Sequence, residues 1–304
     1  MNQDGREQPL FMFVVMADPQ FGLYSFLTGN ERTAAALEAA GLRVPVFPPI
    51  SDLKRERTLF AEAIASANAI NPAFVVVCGD LVNEWDDAEQ LNALKQIAGS
   101  LSPEISIRWV AGNHDVSEDY MHPTPRALAR YREQFGPDYY AFQVRGVSFI
   151  VIDSTVIQHP EQAGDELEAN LAFLETELTA AKLRRSSHTI IFSHHPWFLR
   201  EPDEDEPAQC WMVIPPDRRE RLIELGAEAG VSAVFSGHTH RNQLAAAGTL
   251  EIVQTTAVGC PLGDDPSGFR VVKVYEDRLE HEAVALPSGV RFAWESELRR
   301  ANGW

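Results

Sequence analysis

Seven residues able to ligate metal ions stand in short polar segments, each closing an apolar, strand-like run. The segments are Asp18-Pro19-Gln20, Gly79-Asp80, Gly112-Asn113-His114-Asp115, His194-His195-Pro196 and Gly237-His238-Thr239-His240. The candidate ligands among them are Asp18, Gln20, Asp80, Asn113, His194, His238 and His240. Carboxylate, carboxamide and imidazole donors without thiolate leave Mn²⁺, Fe, Zn²⁺ and Mg²⁺ chemically open. Two divalent ions about 3.5–4 Å apart deprotonate a water at neutral pH and clamp phosphoryl oxygens during in-line displacement. A pair of this kind needs a bridging carboxylate, and Asp80, after the small Gly79, is the natural candidate. The chemistry implied is hydrolysis of a phosphate ester by metal-bound hydroxide, with no covalent phospho-enzyme.

Each motif alone has a plainer reading. Gly-Asp is most often a turn, Asn-His-Asp can cap the next helix, and a single histidine among apolar residues is usually structural. His195 reads equally as a substrate contact or a structural residue. The joint pattern carries the argument, because all five segments bear the same relation to the runs before them.

Those runs are Leu10–Met16, Phe74–Cys78, Ile105–Val110, Thr189–Phe192 and Ser232–Phe235, rich in Val, Ile and Phe. Continuous apolar strands are buried on both faces, and helical periodicity lies between them: Leu59, Phe60, Ala63, Ile64 and Ala67; Leu167 to Leu178; and a stretch from Asp217 to Gly230. Alternating strand and helix predicts parallel pairing, with ligands gathered at the carboxyl ends of the strands. A second set reads as more antiparallel: Tyr140–Val144 and Val147–Ile152 around Arg145-Gly146, then Leu250–Gln254, Phe269–Tyr275 and Leu279–Ala285. Two mixed sheets packed face to face, with helices outside, accommodate both sets. Two segments, Leu23–Ser51 and Leu199–Pro216, fit no regular element and read as functional loops. The acidic run 201–206 reads either as a solvated loop or as a rim that selects substrates.

The candidate ligands span the chain without a linker, repeat or low-complexity tract, so a single domain over residues 1–304 is expected. The 45% hydrophobic content suits a sizeable core. A formal net charge of −18 argues against nucleic-acid binding, which rests on Lys and Arg neutralising phosphates. It does not exclude a phosphorylated substrate, because bound cations reverse the local field. Leu10–Met16 is too short to span a membrane, and Asp4 and Glu7 stand where a secretory signal carries basic residues. A cytoplasmic location is expected, with Cys78, Cys210 and Cys260 as reduced thiols.

On these motifs the chain resembles the calcineurin-like metallophosphoesterases, whose order is D-x-H, G-D, G-N-H-D/E, H and G-H-x-H. Within them it is most similar to the calcineurin-like phosphoesterase-domain-containing phosphatases. That likeness rests on Met16–Leu23, Cys78–Leu81, Val234–Asn242 and Gly259–Gly268. The resemblance implies an α/β fold, a four-layer α/β/β/α sandwich. It implies one metal at Asp18, Gln20, Asp80 and His240, and another at Asp80, Asn113, His194 and His238. It also implies that His114 donates to the leaving-group oxygen and that Asp115 orients the His114 imidazole. Gln20 stands where the wider family has histidine. An amide oxygen is a poorer ligand for a borderline ion, so the first site is expected to be labile or to prefer Mn²⁺ or Mg²⁺.

The resemblance points to hydrolysis of phosphate monoesters, with phosphorylated Ser or Thr in proteins or a small phosphate ester as substrate. A phosphodiesterase or nucleotide pyrophosphatase is the nearest alternative. A metal-binding scaffold without catalysis is a third reading, opposed by the intact set of candidate ligands and His114.

Overall fold

A computed structural model describes residues 7–28, 31–39, 41–42, 49–205 and 207–289. The apolar runs form strands: β1 (Phe11–Met16), β2 (Phe74–Cys78), β3 (Ser106–Val110), β6 (Thr189–Phe192) and β7 (Ala233–Ser236). The remaining strands are β4 (Tyr140–Val144), β5 (Val147–Val151), β8 (Gln243–Ala247), β9 (Leu250–Gln254), β10 (Gly268–Val274) and β11 (Leu279–Ala285). One sheet has the order β11-β10-β1-β2-β3 and the other β4-β5-β6-β7-β9-β8. Both are mixed. In the first, β1, β2 and β3 are parallel and β10 and β11 antiparallel. In the second, β5, β6, β7 and β9 are parallel, with β4 and β8 antiparallel at the edges.

Strand alternation explains why β1, β2 and β6 are apolar almost throughout, whereas the edge strand β3 carries Ser106 and Arg108 and buries only Val110. Phe11, Phe13 and Val15 of β1 face the other sheet, whereas Val14 and Met16 face a helical layer. Phe13 stacks on Phe74 at 5.0 Å and meets Phe149, Phe192 and Phe235 edge-on at 5.5–5.9 Å, so aromatic rings from both sheets fill the space between them. Over the first sheet lie α3 (Lys54–Ile70), α4 (Ala88–Ala98) and α6 (Pro125–Phe135). Over the second lie α7 (Ser154–Gln158), α8 (Glu166–Arg184) and α9 (Pro216–Ala229). The layers are therefore helices, sheet, sheet, helices, as the resemblance implied. Arg145 and Gly146 both have positive φ, 48° and 85°, the backbone expected of a tight hairpin between β4 and β5.

Three expectations are corrected. Leu23–Ser51 is not irregular where described: it contains α1 (Leu23–Leu27) and α2 (Glu31–Ala39), and residues 43–48 lie outside the described residues. The first helix is too short to show periodicity, and the alanines of the second blunt its apolar contrast while favouring helix. Leu199–Pro216 holds a 3₁₀ helix, Pro207–Met212. Leu250–Gln254 pairs parallel with β7 as well as antiparallel with β8, a strand the sequence reading omitted. The C-terminal segment Glu295–Trp304 lies outside the described residues.

Candidate metal centre

The segments Asp18–Gln20, Gly79–Asp80, Gly112–Asp115, His194–His195 and Gly237–His240 follow the carboxyl ends of β1, β2, β3, β6 and β7, and the two sheets bring them together. Nine non-glycine residues have positive φ among the described residues, and five are candidate ligands: Asp18 (48°), Gln20 (35°), Asp80 (48°), His238 (70°) and His240 (55°). Side-chain-bearing residues adopt this region at a cost, and such strain collects at functional sites. Glycines give the ligands room. A Cβ on Gly79 would lie 2.3 Å from His194 Nδ1, and one on Gly237 would lie 2.4 Å from Asp18 Oδ2.

Two clusters result. In the first, ligand atoms of Asp18, Asp80 and His240 lie within 4.8 Å of one another. His240 Nδ1–H donates to the Cys260 carbonyl at 2.6 Å, which leaves the Nε2 lone pair 3.5 Å from Asp18 Oδ1. Gln20 is buried, and its Oε1 has no hydrogen-bond partner.

In the second cluster, backbone carbonyls occupy the N–H groups and leave lone pairs facing one another. His194 Nδ1–H donates to Cys78 O at 2.9 Å, His238 Nε2–H to Trp211 O at 3.2 Å, and Asn113 Nδ2–H to Tyr120 O at 2.7 Å. His194 Nε2 then stands 3.0 Å from His238 Nδ1, 3.0 Å from Asn113 Oδ1 and 3.4 Å from Asp80 Oδ2. A proton on His194 Nε2 answers one of these acceptors. A cation answers all of them, and imidazoles oriented by carbonyls through the opposite nitrogen are how proteins hold metals. The donor set and the orphaned Gln20 oxygen thus fit a pair of divalent ions.

A family model described as calcineurin-like phosphoesterase matches residues 47–242. The chain belongs to the calcineurin-like phosphoesterase family. It is 32% identical over 283 residues to the serine/threonine-protein phosphatase CPPED1 of Homo sapiens, covering 91% of this chain and 84% of that protein. It is 32% identical over 296 residues to the Danio rerio protein of the same name, covering 95% and 89%. A probable cyclic nucleotide phosphodiesterase of Rhodopseudomonas palustris is 28% identical, over 76% of this chain and 85% of that one. Among solved structures, a dimetal phosphatase from Danio rerio superposes with a TM-score of 0.62 at 15% identity, covering 95% of this chain and all of that one. A purple acid phosphatase from yellow lupin gives 0.64 at 12% identity, covering 94% and 53%. These last two show a shared fold.

Within this phosphoesterase site the electrostatics favour bound cations. Burial, then Asp80, pushes the Asp18 carboxyl well above its ordinary range, although His194 pulls it down. Burial also opposes charge on Asp80, but His194 and His114 hold its carboxyl below the usual range. Burial would depress His194, yet Asp80 and Asp18 raise it to about 9. Burial lowers His238 well below the ordinary value, helped by His194, and lowers His240 to about 4. Both are therefore neutral imidazoles near pH 7, the form that ligates metal.

The expected role of Asp115 is corrected. Its carboxylate accepts the backbone N–H groups of Leu81 (2.9 Å), Val82 (3.2 Å) and Gly112 (2.9 Å), tying the loop after β2 to the loop after β3. The His114 imidazole is oriented instead by the Asn83 carbonyl, 2.9 Å from Nδ1, while its backbone N–H donates to Asp80 Oδ1 at 2.9 Å. Asp115 lies in the first turn of the short helix α5 (Asn113–Val116), and its carboxylate satisfies backbone donors, that of the N-cap Gly112 among them, rather than the neighbouring ring. Burial, then Asp80, raises Asp115 to about 8.

Residues absent from the sequence reading complete the site. Tyr120 packs 4.9 Å from the His114 ring and donates its hydroxyl to Glu84 at 2.7 Å. Ser154 Oγ accepts the backbone N–H groups of His194 and His195, so its hydroxyl hydrogen is left for His195 Nδ1 at 3.2 Å. His195 is accordingly buried and held from behind, although its ring lies 4.2 Å from that of His238. Trp211 and Asn83 each lend a backbone carbonyl, and backbone atoms leave no signal in residue type; their side chains also reach the site, the Trp211 ring 5.6 Å from that of His238 and Asn83 Oδ1 accepting from Gln20 Nε2 at 3.4 Å. Ser154 alone had a readable cue, the helix start after Asp153.

Proposed function

We propose that this phosphoesterase hydrolyses phosphate monoesters, with phosphorylated Ser or Thr in proteins as substrate. One ion is assigned to Asp18, Gln20, Asp80 and His240, the other to Asp80, Asn113, His194 and His238. The observation that carries this reading is the convergence of the His194, His238 and Asn113 lone pairs beside Asp80 Oδ2. When bound, the ions supply Lewis acidity and an activated water.

The chain's own residues supply the rest. His114 lines the cavity with Nδ1–H on the Asn83 carbonyl, and in its imidazolium form gives the Nε2 proton to the departing oxygen, which leaves as the alcohol. Tyr120, anchored on Glu84, keeps that ring in place. Asp115 keeps the loops carrying Asp80 and Asn113 in register. The protein-phosphatase assignment follows the names of the relatives that are 32% identical. A harder ion, Mn²⁺ or Mg²⁺, suits the first site because Gln20 offers an amide oxygen; Mn²⁺, Fe or Zn²⁺ suits the second.

A single domain over residues 1–304 and a cytoplasmic location complete the reading. The free Cys78, Cys210 and Cys260 support a reducing compartment. Among the described residues no helix is long and apolar enough to cross a membrane. Diester hydrolysis is the second reading, favoured by the likeness to a probable cyclic nucleotide phosphodiesterase.

The test compares p-nitrophenyl phosphate with bis-p-nitrophenyl phosphate, using metal-stripped protein resupplied with Mn²⁺, Fe²⁺, Zn²⁺ or Mg²⁺. Metal-dependent monoester cleavage abolished by Asp80→Asn supports the proposal. Preferred diester cleavage moves the assignment to the second reading. Protein that binds two ions yet turns over neither ester is a scaffold.

A further inference from the structure

The candidate metal ligands open into a cavity of about 290 Å³ whose far wall is apolar. Gln20, Asp80, Asn113, His114, His238 and His240 form one part of its lining. Leu23, Phe26 and Leu27 of α1, Leu37 of α2, Leu42 and Leu262 form another. Tyr120 connects them, its ring 4.9 Å from that of His114 and 5.3 Å from that of Phe26. This bridging position is built at a cost. Tyr120 has φ 66° and is pinned at its carbonyl by Asn113 Nδ2 (2.7 Å) and at its hydroxyl by Glu84 (2.7 Å).

Among the described lining residues there is neither Lys nor Arg, and Asp119 is present. Among the described lining residues, a second anionic group on a substrate therefore meets no Lys or Arg side chain and an acidic one. An apolar group next to the ester oxygen meets Tyr120, Phe26 and the leucines. The volume stands at the small end for ligand pockets, enough for one side chain beside the phosphorylated group.

We propose that this recess selects the leaving group. The preferred substrate is a phosphate monoester whose alcohol carries an aliphatic or aromatic group close to the ester oxygen and no further negative charge. In a protein this is a phosphorylated Ser or Thr with an apolar neighbour. The proposal rests on the phosphomonoesterase reading given above.

Two readouts test it. In calorimetry on metal-loaded protein, n-alkylphosphonates from methyl to pentyl should bind about fourfold more tightly per methylene. In kinetics, phosphoserine peptides with Leu beside the phosphoserine should exceed those with Asp there by at least about tenfold in kcat/KM. Both the chain-length slope and the peptide ratio should shrink in Leu37→Asn and in Phe26→Ala. Leu37 is half-buried, so its variant keeps the test available if loss of the Phe26 ring unfolds α1. Affinity independent of chain length, a peptide ratio near one with turnover intact, or a slope unchanged in both variants overturns the proposal. Phosphonates that do not bind, together with esters that are not hydrolysed, overturn the phosphomonoesterase reading beneath it.

Discussion

Replacing Ser154 by alanine removes one oxygen that organises two histidines. Ser154 is fully buried, and its Oγ accepts His194 N–H at 3.0 Å and His195 N–H at 2.9 Å while lying 3.2 Å from His195 Nδ1. In the variant both buried N–H groups lose their acceptor, and the space of one oxygen is too small to admit a water. Each orphaned donor costs about 1–3 kcal/mol, so about 2–6 kcal/mol of stability should be lost. That is a large share of the roughly 5–15 kcal/mol typical of a folded domain. His194 also loses a backbone anchor, and disturbing the support of a ligand typically weakens metal binding about 10- to 100-fold. Urea unfolding of the metal-free protein measures the first effect, and metal titration of the folded variant the second. A loss below about 0.5 kcal/mol, the size of an ordinary surface change, with unaltered metal affinity would refute the reasoning.

Three further outcomes follow from buried groups near the site. Burial, then Asp138, raises the Asp153 carboxyl from its ordinary range near 4 to about 8. Its contribution to stability is complete below about pH 4 and is lost as pH rises through about 8, because folding favours the protonated acid. Asp153→Asn stays neutral throughout, so the wild type should lose stability relative to the variant between pH 5 and pH 8; parallel unfolding midpoints across that range would contradict this. Gln20→His replaces the unpartnered amide oxygen by imidazole and should raise Zn²⁺ affinity at the first site, as read by competition with a chelator; unchanged affinity and preference would sink the labile-site idea. Gly79→Ala forces a Cβ to 2.3 Å from His194 Nδ1 at φ 79°, and should cost at least about 1–3 kcal/mol in unfolding and weaken metal binding; a tolerated variant would show that His194 is not confined as described.

Parallel strands and ligands were legible in the sequence for a shared reason. Strands buried on both faces must be apolar throughout, and their polar ends then stand out, as Asp80 does after Phe74–Cys78. The helices α4 and α6 carried readable caps, Asp87 accepting from Glu89 and Gln90 N–H and Thr124 accepting from Ala127 N–H before Pro125, which periodicity alone overlooked. The role of Asp115 was not legible, because whether its carboxylate turns to His114 or to the N–H groups of Leu81, Val82 and Gly112 depends on where the loop after β2 lies. Tyr120 and Glu84 belong to segments without a strand-end signature, and only the folded chain sets Tyr120 against His114.

The most direct test is the number of divalent ions per chain after equilibrium dialysis against Mn²⁺, counted by elemental mass spectrometry. Two ions are expected in the wild type, one in His238→Ala, one in His240→Ala, and at most one in Asp80→Asn, because the Asp80 carboxylate is assigned to both clusters. A wild-type count of one, or a count of two that survives all three substitutions, would contradict a dinuclear centre built from these residues.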